Sequence, residues 1–352
     1  MLNFNTLNIK SIQRETDSAI KLTFEVPEAL RPAYQFKAGQ YVTLKTTLDG
    51  NEIRRDYSIC SSVSSGDLCV AIKAVSDGTF SVYANEHLKE NDRLEVSEPN
   101  GRFVFEANAE KTRTIAAFAA GSGITPVLSI LKTLLEDEPF SNFILVYGNR
   151  SLKDTMFLNQ LTDLKNQYGN RLHLHFIFSR AQEDDAMFGR IEKSTVNLIV
   201  KNKYAQTAIE RFYLCGPEEM IDVVKTTLQD NGVKPNNINY ELFTTSATSD
   251  DATNNPEKEG ISSVKVIVDD EEFSFSMQQK DSILEAALKQ DIDAPYSCQG
   301  GICSSCVARL TEGTATMRQN NILTDGEVEE GLVLTCQAHP TSASIVVDYD
   351  DV

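Results

Sequence analysis

Over the first 105 residues, apolar and polar side chains alternate in short runs broken by turn residues. Examples are AIKLTFEV (19–26), QYVTLKT (40–46), DYSICSS (56–62) and CVAIKAV (69–75). A period of two repeated over many short runs predicts an antiparallel sheet or small β-barrel with one face buried. From residue 112 the pattern changes. TRTIAAFAA is a continuous apolar strand, followed by Gly-Ser-Gly and the helical pattern TPVLSILKTLLEDE. FILVYGN (143–149), a helix around 155–168, HLHFIF (173–178), a helix-like stretch near 204–211, RFYLCG (211–216) and the helix EEMIDVVKTTLQDNG follow. Apolar strands alternating with helices predict a parallel sheet covered on both faces. The stretch TTSATSDDATNNPEKEGISS (244–263) has no apolar period and its composition marks a flexible linker. Beyond it, SVKVIVDDEEFSFSM predicts a hairpin and DSILEAALKQ a short amphipathic helix. The expected order is an antiparallel β-barrel (1–106), a parallel α/β domain (107–244), a linker (245–262) and a small α+β domain (263–352).

Composition narrows the class. At 352 residues, 41% hydrophobic and 24% charged, the chain reads as a soluble multidomain protein. No window approaches twenty apolar residues, and MLNFNTLNIKSIQRE lacks the basic start and apolar core of a secretory signal. No membrane is therefore expected. Seven unevenly placed cysteines do not form a disulfide framework and predict a reducing cytoplasm. The net charge of −18 argues against nucleic acid as a partner. Residues 263–352 hold 5 Lys/Arg against 16 Asp/Glu, a net −11. That acidity reads equally as a solubilising surface or as a docking face for a basic partner.

The densest chemistry lies in PYSCQGGICSSC (295–306). Cys298, Cys303 and Cys306 follow a C-x4-C-x2-C spacing, with Cys336 as the only later cysteine. Four thiolates hold either a tetrahedral zinc or a [2Fe–2S] cluster. Structural zinc favours two equal C-x2-C knuckles, whereas this spacing with a distant fourth cysteine is the plant-type [2Fe–2S] pattern. Gly300 and Gly301 allow the loop to approach inorganic sulfide closely. Residues 264–350, with VLTCQAHP and a terminal hydrophobic strand, resemble a plant-type ferredoxin domain of the β-grasp kind. Cys60 and Cys69 sit in strand patterns and read as buried, inert thiols.

Four smaller signals lie upstream. AAGSGITP (119–126) follows an apolar strand and opens a helix, so its backbone N–H groups can face a phosphate. CGPEEM (215–220) lies at another strand end, where ligands sit in open α/β sheets. RRDYSICSS carries Arg55, Tyr57 and Ser58 on one strand, and DGTFS pairs Gly78 with Ser81. Singly, each also fits a packing turn, an exposed strand charge or a sheet aromatic. Together, in this order, they resemble the ferredoxin–NADP reductase superfamily over residues 5–243.

That resemblance implies FAD bound by Arg55, Asp56, Tyr57 and Ser58, by Ile72, Lys73 and Ala74, and by Gly78, Thr79, Phe80 and Ser81. Ser58 would lie near the reactive flavin nitrogen. Gly121, Ser122, Gly123, Ile124, Thr125 and Pro126, with Cys215, Gly216 and Pro217, would flank the nicotinamide. Glu241 and Phe243, in YELF, match the family's last strand near the flavin, and Ser58, Cys215 and Glu241 would shape hydride transfer. Ala119-Ala120 depart from the Gly-Gly of many relatives. Arg150, Ser179 and Arg180 follow successive strands, and the basic pair favours NADPH, with NADH as the alternative donor. The order flavin, nicotinamide, ferredoxin, together with YGNR, PYSC and VLTCQAHPTS, resembles the reductases of phenylacetyl-CoA epoxidase systems. Reductases of steroid and aromatic-ring hydroxylases share that order. The implied activity is an NAD(P)H-dependent oxidoreductase passing electrons through FAD and the cluster to a terminal oxygenase, with the linker letting the ferredoxin domain swing. Another metalloenzyme acceptor, such as a hybrid-cluster protein, and a non-catalytic redox sensor are the competing readings.

Overall fold

A computed structural model describes residues 3–76, 78–243 and 260–352. They fall into two compact units, one built from Asn5–Ile53 with Tyr57–Phe243, the other dominated by the C-terminal residues from 260 onward. The expected linker, 245–262, lies outside the described residues apart from its last three positions.

The first unit begins with six strands: β1 (Phe4–Thr16), β2 (Ala19–Glu25), β3 (Tyr41–Leu48), β4 (Asn51–Ser58), β5 (Leu68–Lys73) and β6 (Arg93–Ser97). They form one sheet in the order β4-β3-β6-β1-β2-β5. A bridge between Ile59 and Val70 brings the two end strands together, closing the sheet as the alternating pattern requires. Inside lie Leu7, Ile9, Ile20, Leu22, Val42, Leu44, Val70 and Val96. Helix α1 (Thr79–Glu86) caps the barrel, with Phe80 and Ala84 buried against it.

The second half of this unit is a fully parallel sheet. Its strands are β7 (Thr114–Ala120), β8 (Asn142–Asn149), β9 (Leu172–Phe178), β10 (Met187–Phe188), β11 (Ile209–Gly216) and β12 (Ile238–Leu242). The order is β10-β9-β8-β7-β11-β12, so β7 sits centrally between β8 and β11. Helices α2 (Ile124–Asp137), α3 (Leu158–Tyr168), α4 (Lys193–Asn197) and α5 (Glu218–Asp230) connect the strands. The helix expected near 204–211 is not there. Helical residues run from Lys193 to Lys203, ending in a π-turn over Leu198–Lys203, and β11 already begins at Ile209.

Barrel and parallel sheet share one core, in which Cys60, Cys69, Phe103 and Phe105 pack with Ile115, Leu128 and Tyr213. Ser129 Oγ donates to the Ser61 carbonyl at 2.7 Å, and Tyr213 OH to the Val104 carbonyl at 3.1 Å. Just before β7, Arg113 pairs with Glu138 at 2.6 Å and Glu210 at 2.8 Å. Glu138 is fully buried and also accepts from Ser141 Oγ (2.6 Å) and Asn108 N (2.8 Å), so its lone pairs are satisfied.

The C-terminal unit is a mixed sheet of β13 (Ile261–Val268), β14 (Glu271–Gln278), β15 (Val307–Glu312), β17 (Leu332–Leu334) and β19 (Ser344–Asp348). A second, two-stranded ribbon joins β16 (Ala315–Met317) to β18 (Ala338–Pro340). The order β14-β13-β19-β15-β17 places a parallel pair, β13 and β19, inside antiparallel neighbours. Helix α6 (Ile283–Leu288), capped by Ser282 Oγ accepting from Glu285 N, buries Ile283, Leu284, Ala286 and Ala287 on this sheet; α7 (Asp325–Glu329) follows β16. The hairpin and helix expected from the pattern are both present.

Candidate functional site

In the parallel sheet, the C-terminal ends of β7 and β11 lie side by side, with Ala119 opposite Cys215. Each strand end carries a glycine, and two of the glycines in these loops are crowded. A Cβ on Gly123 would collide with the Cys215 carbonyl, and one on Gly216 would come 2.7 Å from Met220 Cε. Gly121 serves a different need: its φ of +56° is left-handed, with open space where a Cβ would stand. Ser122 completes this turn, its carbonyl accepting from Thr125 Oγ1 at 3.0 Å; Ile124, Thr125 and Pro126 form the buried first turn of α2. The Ala119-Ala120 departure is accommodated by neighbouring glycines, since Cβ atoms at Gly148 and Gly216 would lie 3.7 and 3.2 Å from the Ala120 methyl.

One residue fixing this loop was not singled out from the sequence. Tyr147, buried on β8, donates its hydroxyl to the Gly121 carbonyl at 3.0 Å. Burial pushes its phenol pKa up, which keeps it a donor. Its place in YGNR, one strand over from the glycine loop, was the available signal.

Strand β12 pairs with β11 so that Glu241 stands opposite Cys215 and Leu242 opposite Gly216. From the barrel, Ser58 at the end of β4 donates its Oγ toward Glu241 Oε2 at 3.5 Å. Ser58, Cys215, Glu241 and the glycine loop are thus assembled from residues up to 183 positions apart. Cys215 is fully buried, and burial, reinforced by the charge of Glu241, raises its thiol pKa well above the ordinary value. Phe243, just past β12, packs on the shared core, while Pro217 caps α5.

The other barrel candidates gather around α1. Gly78 is its N-cap, where a Cβ would collide with Ser81 Oγ. Ser81 Oγ accepts from Val75 N at 3.3 Å, and the Phe80 ring lies 5.7 Å from that of Tyr57. Thr79 opens the helix. Ile72 and Lys73 finish β5 beside it and Ala74 follows, with Asn85 Nδ2 donating to the Ile72 carbonyl and Ala74 N to the Ser18 carbonyl. Half-buried Lys73 has its pKa lowered chiefly by burial. On β4, strand alternation puts Arg55 and Tyr57 on one face and Asp56 and Ser58 on the other. Arg150 and Arg180 are exposed neighbours beyond β8 and β9, where Arg180 N donates to the Arg150 carbonyl (2.9 Å) and Ser179 N to Asn149 (3.0 Å).

In the C-terminal unit the cysteine loop has no regular secondary structure. Its turns rest on left-handed Gln299 (φ +53°) and Gly301 (φ +71°). Gly300 N donates to Cys298 Sγ at 3.3 Å. The four sulfurs meet two by two: Cys298 hydrogen-bonds Cys303, and Cys306 hydrogen-bonds Cys336. Each contact favours the proton on one sulfur: it lowers the pKa of Cys298 and Cys336 and raises that of Cys303 and Cys306. Among the described residues, no three His, Cys, Asp or Glu side chains surround one point as a single ion requires. Two thiol pairs on one loop-and-strand frame fit the two irons of a [2Fe–2S] cluster.

Comparison with known proteins agrees with this division. The oxidoreductase FAD-binding domain profile matches residues 6–105, the oxidoreductase NAD-binding domain 118–226 and the 2Fe-2S iron-sulfur cluster binding domain 266–341. The chain is 40% identical over 352 residues to a component of 1,2-phenylacetyl-CoA epoxidase from Escherichia coli K12, covering 99% of each. It is 29% identical over 356 residues to the ferredoxin reductase component of 3-ketosteroid-9-alpha-monooxygenase from Rhodococcus rhodochrous, covering 97% of this chain and 96% of that one. Among solved structures, phthalate dioxygenase reductase aligns over 98% of both chains with a TM-score of 0.62 at 24% identity, a likeness of fold. Among the described residues, no helix is long and apolar enough to cross a membrane.

Proposed function

The chain belongs to the family of oxygenase reductase components that includes the matched component of 1,2-phenylacetyl-CoA epoxidase, with FAD-binding, NAD-binding and 2Fe-2S domains in one polypeptide, and from that premise we propose that it draws electrons from NADPH and delivers them to an epoxidase acting on phenylacetyl-CoA. The observation that carries the electron path is the pairing of Cys298 with Cys303 and of Cys306 with Cys336. These four residues would hold the cluster. When bound, the nicotinamide supplies two electrons as a hydride, the flavin exchanges between two-electron and one-electron carriers, and the cluster accepts electrons singly.

This chain's residues position those groups. Ser58 Oγ, whose proton goes to Glu241, would accept a hydrogen bond from the flavin, and Arg55 and Tyr57 on the other face of β4, with Gly78 to Ser81, would hold the rest of it. Gly121 to Pro126 and Cys215 to Pro217 form the nicotinamide platform, where a bulkier residue at 123 is excluded by contact with the Cys215 backbone. Arg150 and Arg180 present two cations to a ribose 2′-phosphate, which supports NADPH over NADH.

Anaerobic titration of the purified protein with NADPH and separately with NADH tests this reading. Overlapping flavin and iron–sulfur absorption bleached at lower NADPH than NADH concentration is expected. Arg180→Ala should raise KM for NADPH about tenfold and leave that for NADH in place. A colourless protein, or one holding zinc, overturns the electron path; equal response to both nucleotides overturns only the preference.

A further inference from the structure

Just before the turn from β1 to β2 the ladder slips. Arg14 pairs with Ile20 and Thr16 with Ala19, which leaves Glu15 as an extra residue without a ladder partner. A bulge of this kind re-aims a side chain. Glu15 is half-buried, and its Oε2 accepts from Phe157 N at 3.2 Å, 142 positions further along the chain. Burial raises its pKa, opposed by the charge of Lys21 and by the Phe157 N–H, so the carboxylate is held here at a cost. The residue it grips is itself strained. Phe157 is 2% exposed and stands at φ +60°, a left-handed backbone that bulky side chains seldom adopt. A barrel carboxylate and a strained aromatic thus meet where α3 begins.

The preceding residue carries this contact inward. The Met156 amide stands against the Tyr147 hydroxyl, which donates to the Gly121 carbonyl at 3.0 Å. The segment from Arg150 to Phe157 is also closed on itself, with Thr155 Oγ1 (3.0 Å) and Asp154 N (3.2 Å) both donating to the Ser151 carbonyl. Lys73, at the end of β5, feels the charges of Asp154 and Arg150, so a second barrel strand meets the same segment. We propose that Glu15 is a positioning residue for hydride transfer: it ties Phe157 to the barrel and thereby fixes Met156, Tyr147 and the Gly121 turn of the nicotinamide platform. In that role, which rests on the NADPH-to-flavin step of the preceding section, Glu15 lies outside both sets of cofactor-binding residues. Transfer between two bound groups falls steeply when one is misplaced by an ångström, whereas a nucleotide is gripped along its whole length. Losing the tie therefore acts on the rate and spares binding.

The test follows flavin bleaching in the full-length protein by anaerobic stopped flow over a range of NADPH concentrations, so that limiting rate and half-saturation are read separately. Glu15→Ala should lower the limiting rate about tenfold and change half-saturation less than about twofold. Glu15→Leu, which keeps the volume and loses the acceptor, should match it. Glu15→Gln retains an oxygen for the Phe157 N–H and should recover most of the rate. Tyr147→Phe should also slow bleaching, and the double variant Glu15→Ala/Tyr147→Phe should be no slower than the slower single one, because both break one chain. Bleaching by dithionite and urea unfolding report that each variant is folded and holds flavin. A wild-type limiting rate in folded Glu15→Ala and Glu15→Leu, or losses that multiply in the double variant, overturn the proposal. So does a rise in half-saturation at an unchanged limiting rate, which would place Glu15 in nucleotide binding instead. If dithionite bleaches the wild-type flavin and NADPH does not, the electron path itself fails and takes this role of Glu15 with it.

Discussion

Two glycine-bearing loops in this chain are built on opposite principles. The loop at Gly121–Gly123 is held from outside itself, by the Cys215 carbonyl, the Tyr147 hydroxyl and two adjoining parallel strands. The loop at 298–306 has no ladder to hold it and is drawn together by its own sulfurs and a few left-handed residues. The first is preformed by packing, so its geometry is set by the fold. The second owes its shape to what its thiols bind, because metal binding and local folding are one equilibrium there.

The largest effect that this contrast predicts is chemical. Cys306→Ser removes one member of a sulfur pair and should cut electron delivery to cytochrome c by at least ~100-fold, while flavin bleaching by NADPH persists. Stopped-flow measurement of both steps checks this; joint loss in a folded variant would contradict the separation. Next comes the frame of the preformed site. Glu138→Gln leaves Arg113 short of a buried partner and should cost about 3 kcal/mol in urea unfolding. Burial alone would raise the Glu138 pKa, but Arg113, Ser141 and the Asn108 N–H together hold it below the ordinary value. Its stabilisation is therefore full above the ordinary carboxylate pKa and lost as pH falls through the lower folded value. The gap between wild type and variant should close in acid.

Smaller effects separate the two glycines of the first loop. Gly123→Ala forces a collision with backbone and should cost about 2 kcal/mol, with weakened nicotinamide binding. Gly121→Ala meets only the left-handed backbone penalty, about 1 kcal/mol, in open space. Thermal unfolding and NADPH titration of the pair measure steric against conformational cost two residues apart. Equal losses would mean that the loop is less tightly held than its contacts imply.

Much of this was legible before any coordinates. Alternation marked the barrel strands, continuous apolar runs the parallel sheet, and cysteine spacing the cluster. Strand β1 was not recognised, because irregular pairing near Ser11 and Thr16 shifts the parity between buried Ile9 and the later Ile12. The helix before β11 was misplaced because its end is a π-turn, which breaks the 3.6-residue period at Leu198 and Ile199. The meeting of Ser58 with Glu241 has no local signature at all, and only the order of motifs in a resembling family pointed to it. Arg113–Glu138 and the contact of Glu15 with Phe157 were missed because distant segments converge there, which no periodicity encodes.

The sealed thiol at Cys215 has one further consequence. Enzymes that handle reduced flavin in air are exposed to peroxide, and it is the thiolate that peroxide and alkylating agents attack. With no accessible surface and a pKa raised by burial and Glu241, Cys215 keeps its proton. A sulfur at the end of a central strand can thus last for the life of the protein without becoming a sulfenic acid.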